Sequence, residues 1–219
     1  MKKKLIGYSI FFVVLVILFL VVVFWGTDKW QAKSPSISFV KPFTFVTQDG
    51  GHFSEREMQG KVCVVNYFFT TCKGICPRMN NNMHTIYNAF KDEPDFMIIS
   101  HTCDPERDSA VVLKHYADSL QVNTAKWVFL TGRKDSLYNQ ARISYLLDDP
   151  KNSVEKIEDQ FLHTQFFALV DKNGDVRGGV YDGLKQEDLD KLKADIKTLL
   201  AEKAGSSSFS NNLFSNNPQ

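Results

Sequence analysis

The chain has no basic patch. Its 26 Lys and Arg are offset by 25 Asp and Glu, leaving a net charge of +1, and that balance excludes nucleic acid as a partner. No internal repeat is visible. No charged residue occurs between Leu5 and Trp25, and no proline between Pro150 and Pro218. Cysteines are few, four in 219 residues. A domain this long builds a core without disulfide staples, so a disulfide scaffold is a poor reading of them.

The uncharged run is the first feature with an address. Residues 5–25 are mostly Phe, Val, Leu and Ile, and about 20 apolar residues in a helix span a bilayer. Lys2, Lys3 and Lys4 precede the run and few basic residues follow it, which predicts a cytoplasmic N-terminus at 1–4 and an outward-facing remainder. A cleaved signal peptide has a shorter apolar region and a small-residue cleavage site, whereas this run continues to Phe24-Trp25-Gly26-Thr27. The expectation is a single-pass signal anchor in a bacterial inner membrane, with the soluble domain in the periplasm. A mitochondrial protein would need a transit sequence first. The cysteines then stand where thiols oxidise.

Residues 26–41 are mostly polar and read as a linker, and 42–203 as one domain. Phe43–Val46 and His52-Phe53 flank a Gln-Asp-Gly-Gly turn, predicting a hairpin. Ser54-Glu55-Arg56-Glu57 is a capping-box pattern. Val62–Phe69 is a nearly continuous apolar run, as in a strand covered on both faces. Met79, Met83, Ile86, Tyr87 and Phe90 repeat at helical spacing after Pro77, so the methionines read as core rather than metal ligands. Phe96–Cys103 predicts a second strand, Asp104-Pro105 the cap of a helix to about Leu120, and Trp127–Leu130 a third strand. Asp135–Leu147 reads as helix, 148–160 as a charged connection, Gln165–Asp171 and Val176–Tyr181 as a hairpin, and Gln186–Lys203 as a closing helix. The Ser/Asn-rich 204–219 reads as a disordered tail. Strands alternating with helices imply parallel pairing, and the closing hairpin and helix fit a thioredoxin-like α/β sandwich with an extra N-terminal hairpin.

The segment richest in chemistry is Phe69-Thr70-Thr71-Cys72-Lys73-Gly74-Ile75-Cys76-Pro77. A proline disfavours helical geometry before it and suits the first helical turn, so Cys76 falls at a helix start, where the positive end of the helix favours a thiolate. In open α/β sheets ligands gather at the carboxyl ends of strands, and this pair sits at one. Two neighbouring thiols can close a disulfide or hold a soft metal ion. A thioredoxin-type redox site uses Cys-x-x-Cys, one residue shorter, with a proline before the late hairpin. Here Phe161-Leu162-His163-Thr164-Gln165 stands in that place. Two thiolates and an imidazole suit copper or zinc, and three ligands leave a more open site than the four of structural zinc. Cys63, within a strand, reads as a small buried hydrophobe.

The cysteine segment, Asp104-Pro105-Glu106-Arg107-Asp108, and His163 followed by Phe167-Ala168-Leu169-Val170-Asp171 together resemble the three signatures of the Sco/SenC family, in order, across roughly 40–203. The resemblance implies a membrane-tethered, thioredoxin-like copper chaperone rather than a turnover enzyme. Cys72, Cys76 and His163 would be its ligands for Cu(I) or Cu(II) when the thiols are reduced. The implied partner is the copper-site subunit of cytochrome c oxidase or another periplasmic copper protein, with the membrane engaged through the N-terminal helix. The family is also credited with reducing the cysteines of the oxidase's dinuclear copper site. Three residues depart from the family pattern. Lys73 and Gly74 replace the usual Pro and Asp, and Cys103 stands where an aliphatic residue is common. Asp104 would help shape the site by resemblance, although capping accounts for it without a metal. The competing reading is a periplasmic thiol-disulfide oxidoreductase, which needs the redox-active pair Cys72 and Cys76 but not His163.

Overall fold

A computed structural model of the chain describes residues 2–24, 35–149, 151, 162 and 164–205. The chain divides into two compact units, Met1–Ser34 and Pro35–Gln219. The first contains helix α1, Lys2–Phe24. The side chains described within α1 are Lys4 and residues 6–21. Among the described residues no helix is long and apolar enough to cross a membrane.

The second unit is built on one sheet. Its strands are β1 (Ser36–Phe39), β2 (Thr44–Thr47), β3 (His52–Ser54), β4 (Val62–Phe68), β5 (Phe96–Thr102), β6 (Trp127–Thr131), β7 (Phe166–Val170) and β8 (Asp175–Asp182). They lie in the order β1-β8-β7-β4-β5-β6-β2-β3. β4, β5 and β6 are parallel neighbours, while β7 runs antiparallel to β4 with Cys63 opposite Val170 and Val65 opposite Ala168. The helices are α2 (Cys76–Phe90), α3 (Ala110–Ser119), α4 (Lys134–Ile143) and α5 (Gln186–Ala201).

Every residue of β4 and β5 is buried, which is why those runs read as continuously apolar rather than alternating. Their two faces feed two cores. Val62, Val64 and Phe68 face a core completed by Met79, Met83 and Ile86 of α2, Leu113 and Ala117 of α3, and Leu189, Leu192 and Ile196 of α5. Cys63, Val65 and Tyr67 face the other core, with Met58, Leu137, Tyr138 and Tyr145. The hairpin β2–β3 extends this sheet through β6. Ser54 caps the short 3₁₀ turn Glu55–Met58 in the predicted box, with Glu57 reaching back to the Ser54 amide.

Several elements differ from the sequence reading. Part of the 26–41 stretch that reads as linker is strand: β1 pairs antiparallel with β8, Ser36 opposite Arg177 and Phe39 opposite Asp175. Its Ser-Ile-Ser-Phe alternation is strand-like but too short to outweigh the polar composition around it. The helix expected from Asp104 begins only at Ala110, capped by Ser109, whose Oγ accepts the Val112 amide. Asp104–Arg107 instead forms a turn in which the Asp104 carbonyl accepts the amides of Arg107 and Asp108 at 3.1 and 2.9 Å. α4 stops at Ile143 rather than Leu147, because Leu146 adopts a left-handed conformation with φ of 56°. The Leu147 amide then returns to the Ala141 carbonyl at 2.9 Å, closing the helix end. Strand β5 ends at Thr102, one residue before Cys103. Most of the connection 148–160 and all but the first two residues of the tail 204–219 lie outside the described residues.

Candidate metal and thiol site

β4 delivers the cysteine segment to the carboxyl end of the parallel strands. The Cys72 amide donates to the Phe69 carbonyl at 3.3 Å, turning the chain back on itself. Cys76 then opens α2, with Pro77 in the first turn where no amide partner is needed. Cys72 is half-buried and Cys76 buried, and both pack against the core under α2.

All four cysteines are free thiols, and Cys72 and Cys76 form a hydrogen-bonded pair. Burial raises the pKa of Cys72, but hydrogen bonds from the Cys76 thiol and the amides of Cys76, Gly74 and Ile75 outweigh it, so Cys72 ionises below the ordinary thiol value. Burial and the bond to Cys72 push Cys76 up to about 12. The two thiols are therefore unequal: Cys72 is the more acidic, and Cys76 keeps its proton longer. This asymmetry has a local cause, since the loop and first helical turn aim their free amides at the first sulfur.

The other thiols are set apart. Cys63 is inside β4, fully buried, and burial pushes it up to about 12. Cys103 is 2 % exposed, and burial is the largest cause that raises its pKa well above the usual value. Met79 and Met83 are buried in the core, as their helical spacing predicts.

His163 lies outside the described residues. Among those that are described, no group of three or more His, Cys, Asp or Glu side chains converges as a metal cluster. The residues on either side of His163 are placed. Because β7 is antiparallel to β4, its first residue, Phe166, enters at the sheet edge from which the cysteine loop departs. The Leu162 amide donates to the Tyr138 hydroxyl at 3.1 Å, and that hydroxyl donates to the Cys103 carbonyl at 2.8 Å. On the far side, the Gly183 amide donates to the Gln165 carbonyl at 2.8 Å. A Cβ on Gly183 would come within 2.6 Å of the Phe167 ring and 2.8 Å of that carbonyl, so only glycine allows this approach.

Two groups have no role of their own in the sequence reading. One is Tyr138, which sits on the buried face of α4 and reads as a plain core aromatic. The other is Asp108, fully buried beneath the cysteine loop. Asp104, the aspartate singled out instead, pairs with Arg107 at 3.3 Å beside the solvent and caps no helix.

Comparison with known proteins agrees with this geometry. The model of the SCO1/SenC family matches residues 31–201. The SCO1 protein homolog of Bacillus subtilis is 36% identical over 172 residues, which are 77% of this chain and 86% of that one. The structure of BsSco, described as a member of the Sco family of cytochrome c oxidase assembly proteins with a disulfide switch, aligns at 33% identity. Its TM-score is 0.65, over 79% of this chain and all of that one. Yeast Sco1 with copper bound aligns with a TM-score of 0.56 at 26% identity, over 74% of this chain and 90% of that one.

Proposed function

The chain belongs to the SCO1/SenC family, and from that premise we propose that it is a membrane-anchored copper carrier that matures the dinuclear copper site of cytochrome c oxidase. Cys72, Cys76 and His163 hold the ion. The observation that carries this reading is the thiol pair itself. Cys72 ionises below the ordinary thiol value, and the partner sulfur is hydrogen-bonded to it. Two soft, anionic sulfurs completed by one imidazole fit Cu(I), and an imidazole also suits Cu(II). Loading copper displaces the protons that the thiols carry. Closing a disulfide between the two sulfurs consumes both donors, so oxidation empties the site.

α1 is the anchor in this reading. Residues 5–25 of the sequence carry no charge, and about 20 apolar residues in a helix span a bilayer. The α1 side chains from Ile10 to Val21 are large, apolar and exposed, as lipid contact requires. The lysines before it place the second unit in the periplasm, facing an oxidase copper-site subunit or another periplasmic copper protein.

The test is copper titration of the full-length chain, reduced and in detergent. One Cu(I) per chain is expected, with tight binding lost in Cys72→Ser and Cys76→Ser. His163→Ala should bind weakly and show an altered Cu(II) spectrum while keeping its fold. A second reading rests on the same unequal pair, since one thiol of lowered pKa beside one of raised pKa is also how a thiol-disulfide oxidoreductase is armed. Unchanged copper stoichiometry and spectra in His163→Ala would abandon the three-ligand site for that alternative.

A further inference from the structure

We infer that Asp108 is a positioning residue for the Cys72–Cys76 pair: a buried carboxylate that fixes the cysteine loop from a different segment of the chain. This rests on the reading that the two cysteines are the working groups, whether they carry copper or electrons.

Asp108 is fully buried. A buried carboxylate can only accept hydrogen bonds and is costly without them. Its donors are two threonines. Thr70, two residues before Cys72, donates its amide to Oδ2 at 3.2 Å and its hydroxyl to Oδ1 at 2.5 Å. Thr102, the last residue of β5, donates its hydroxyl to Oδ2 at 2.6 Å. The Thr102 oxygen in turn accepts the Asp104 amide at 2.9 Å, and the Asp108 amide returns to the Asp104 carbonyl. One carboxylate thereby ties the exit of β4 to the exit of β5, and Thr70 is held at both backbone and side chain.

Geometry explains why this matters for the sulfurs. Between Phe68 and Cys76 the chain has left the sheet ladder and has not yet entered the helix. Cys72 collects its hydrogen bonds from Gly74, Ile75 and Cys76, so its place depends on where the loop leaves the strand. Asp108 sets that departure point at Thr70. Hydrogen bonds to a charged acceptor are the stronger kind, which suits a group that must hold a loop still.

The readout is the closing of the pair. Cys72, as its thiolate, attacks added oxidised glutathione and releases one glutathione thiolate, leaving a mixed disulfide; Cys76 then gives its proton to solvent and its sulfur attacks the Cys72 sulfur. The new S–S bond forms, the S–S bond to glutathione breaks, and glutathione leaves as its thiolate. Both chain thiols are oxidised and the oxidised glutathione supplied at the start is fully reduced. The closing rate of the full-length chain, far below its melting temperature, measures how well the loop presents one sulfur to the other. Asp108→Ala should slow closing by about tenfold, the scale of losing hydrogen bonds to a charged group. Asp108→Asn should stay within about threefold, because its amide oxygen can still accept the Thr70 amide and the Thr102 hydroxyl. A closing rate unchanged in Asp108→Ala, with only the melting temperature lowered, would overturn the proposal. Should Asp108→Ala not fold, Thr70→Val removes one bond from the loop side at a half-buried position. It should slow closing about threefold, and an unchanged rate again overturns the idea. Failure of the wild type to hold copper, with closing still slowed in these variants, would remove the copper reading and leave Asp108 in place.

Discussion

The Cys103 thiol donates to the Phe68 carbonyl at 3.0 Å, and the same oxygen accepts the Cys103 amide at 2.8 Å. Cys103 is thus knitted to the end of the strand that launches the cysteine loop. A thiol engaged this way, buried and with its pKa raised, makes a poor nucleophile. We expect Cys103 to resist alkylation in the folded chain and Cys103→Val to leave copper binding unchanged. Peptide mapping after brief iodoacetamide treatment checks the first point. Rapid modification, or a disulfide mapped from Cys103 to Cys72 or Cys76, would make it a third working thiol.

Cys72 and Cys76 should differ in reactivity despite their proximity. The thiolate is the nucleophile, so the lowered pKa of Cys72 favours its alkylation near neutral pH. Cys76, pushed up to about 12, stays protonated. The Cys72 rate should level off at a pH below that of an ordinary thiol, after which further base gains nothing. Mass spectrometry of single-hit products across pH reads this directly. Preferential modification of Cys76 would reverse the order of acidity.

The strand–loop–helix unit around the cysteines was legible because its signals are local: an apolar run, a proline in the first helical turn, and helical spacing that buries Met79, Met83, Ile86, Tyr87 and Phe90 together. Cys63 was legible for the same reason, lying inside β4. Asp108 was not. A carboxylate in the charged run Asp-Pro-Glu-Arg-Asp reads as a solvent-facing or capping group, and its partner Thr70 belongs to another strand exit. The same inward turn of Asp108 helps explain why α3 starts at Ala110 instead of following Pro105, since residues 104–108 are spent on the loop. β1 escaped notice because four residues carry little pattern, and its reason for being a strand is β8, far along the chain.

His101 gives the domain an acid-sensitive point. It is fully buried, stacks on Tyr67 with ring centroids 5.0 Å apart, and has no hydrogen-bond partner on either ring nitrogen among the described residues. Burial lowers its pKa from 6.5 to about 3. Above the unfolded value both states are neutral and the residue has no pH effect. As pH falls through that value, only the unfolded chain takes up the proton, so stability is lost progressively down to the folded pKa. The loss approaches ~1.4 kcal/mol per pH unit at most. Urea unfolding across this window should show a flatter pH dependence for His101→Phe than for wild type. Parallel curves would mean that His101 is not held neutral.

Tyr138 links the two halves of the site, because its hydroxyl accepts from the Leu162 amide and donates to the Cys103 carbonyl. Leu162 is the residue before His163, so this hydroxyl fixes the chain on one side of the expected copper ligand. Tyr138→Phe keeps the ring that fills the core beside Leu137 and Ala141 and deletes only the bridge. It leaves a buried amide and a buried carbonyl short of a partner, at a cost of about 1–3 kcal/mol. Stability should fall by that amount. The effect on copper should imitate a weakened His163→Ala: reduced Cu(II) affinity and an altered Cu(II) spectrum, with Cu(I) binding by the two sulfurs less affected. Chemical denaturation and Cu(II) spectroscopy on the same preparation separate the two consequences. A stability loss with an unperturbed spectrum would show that the His163 segment keeps its place without the tyrosine.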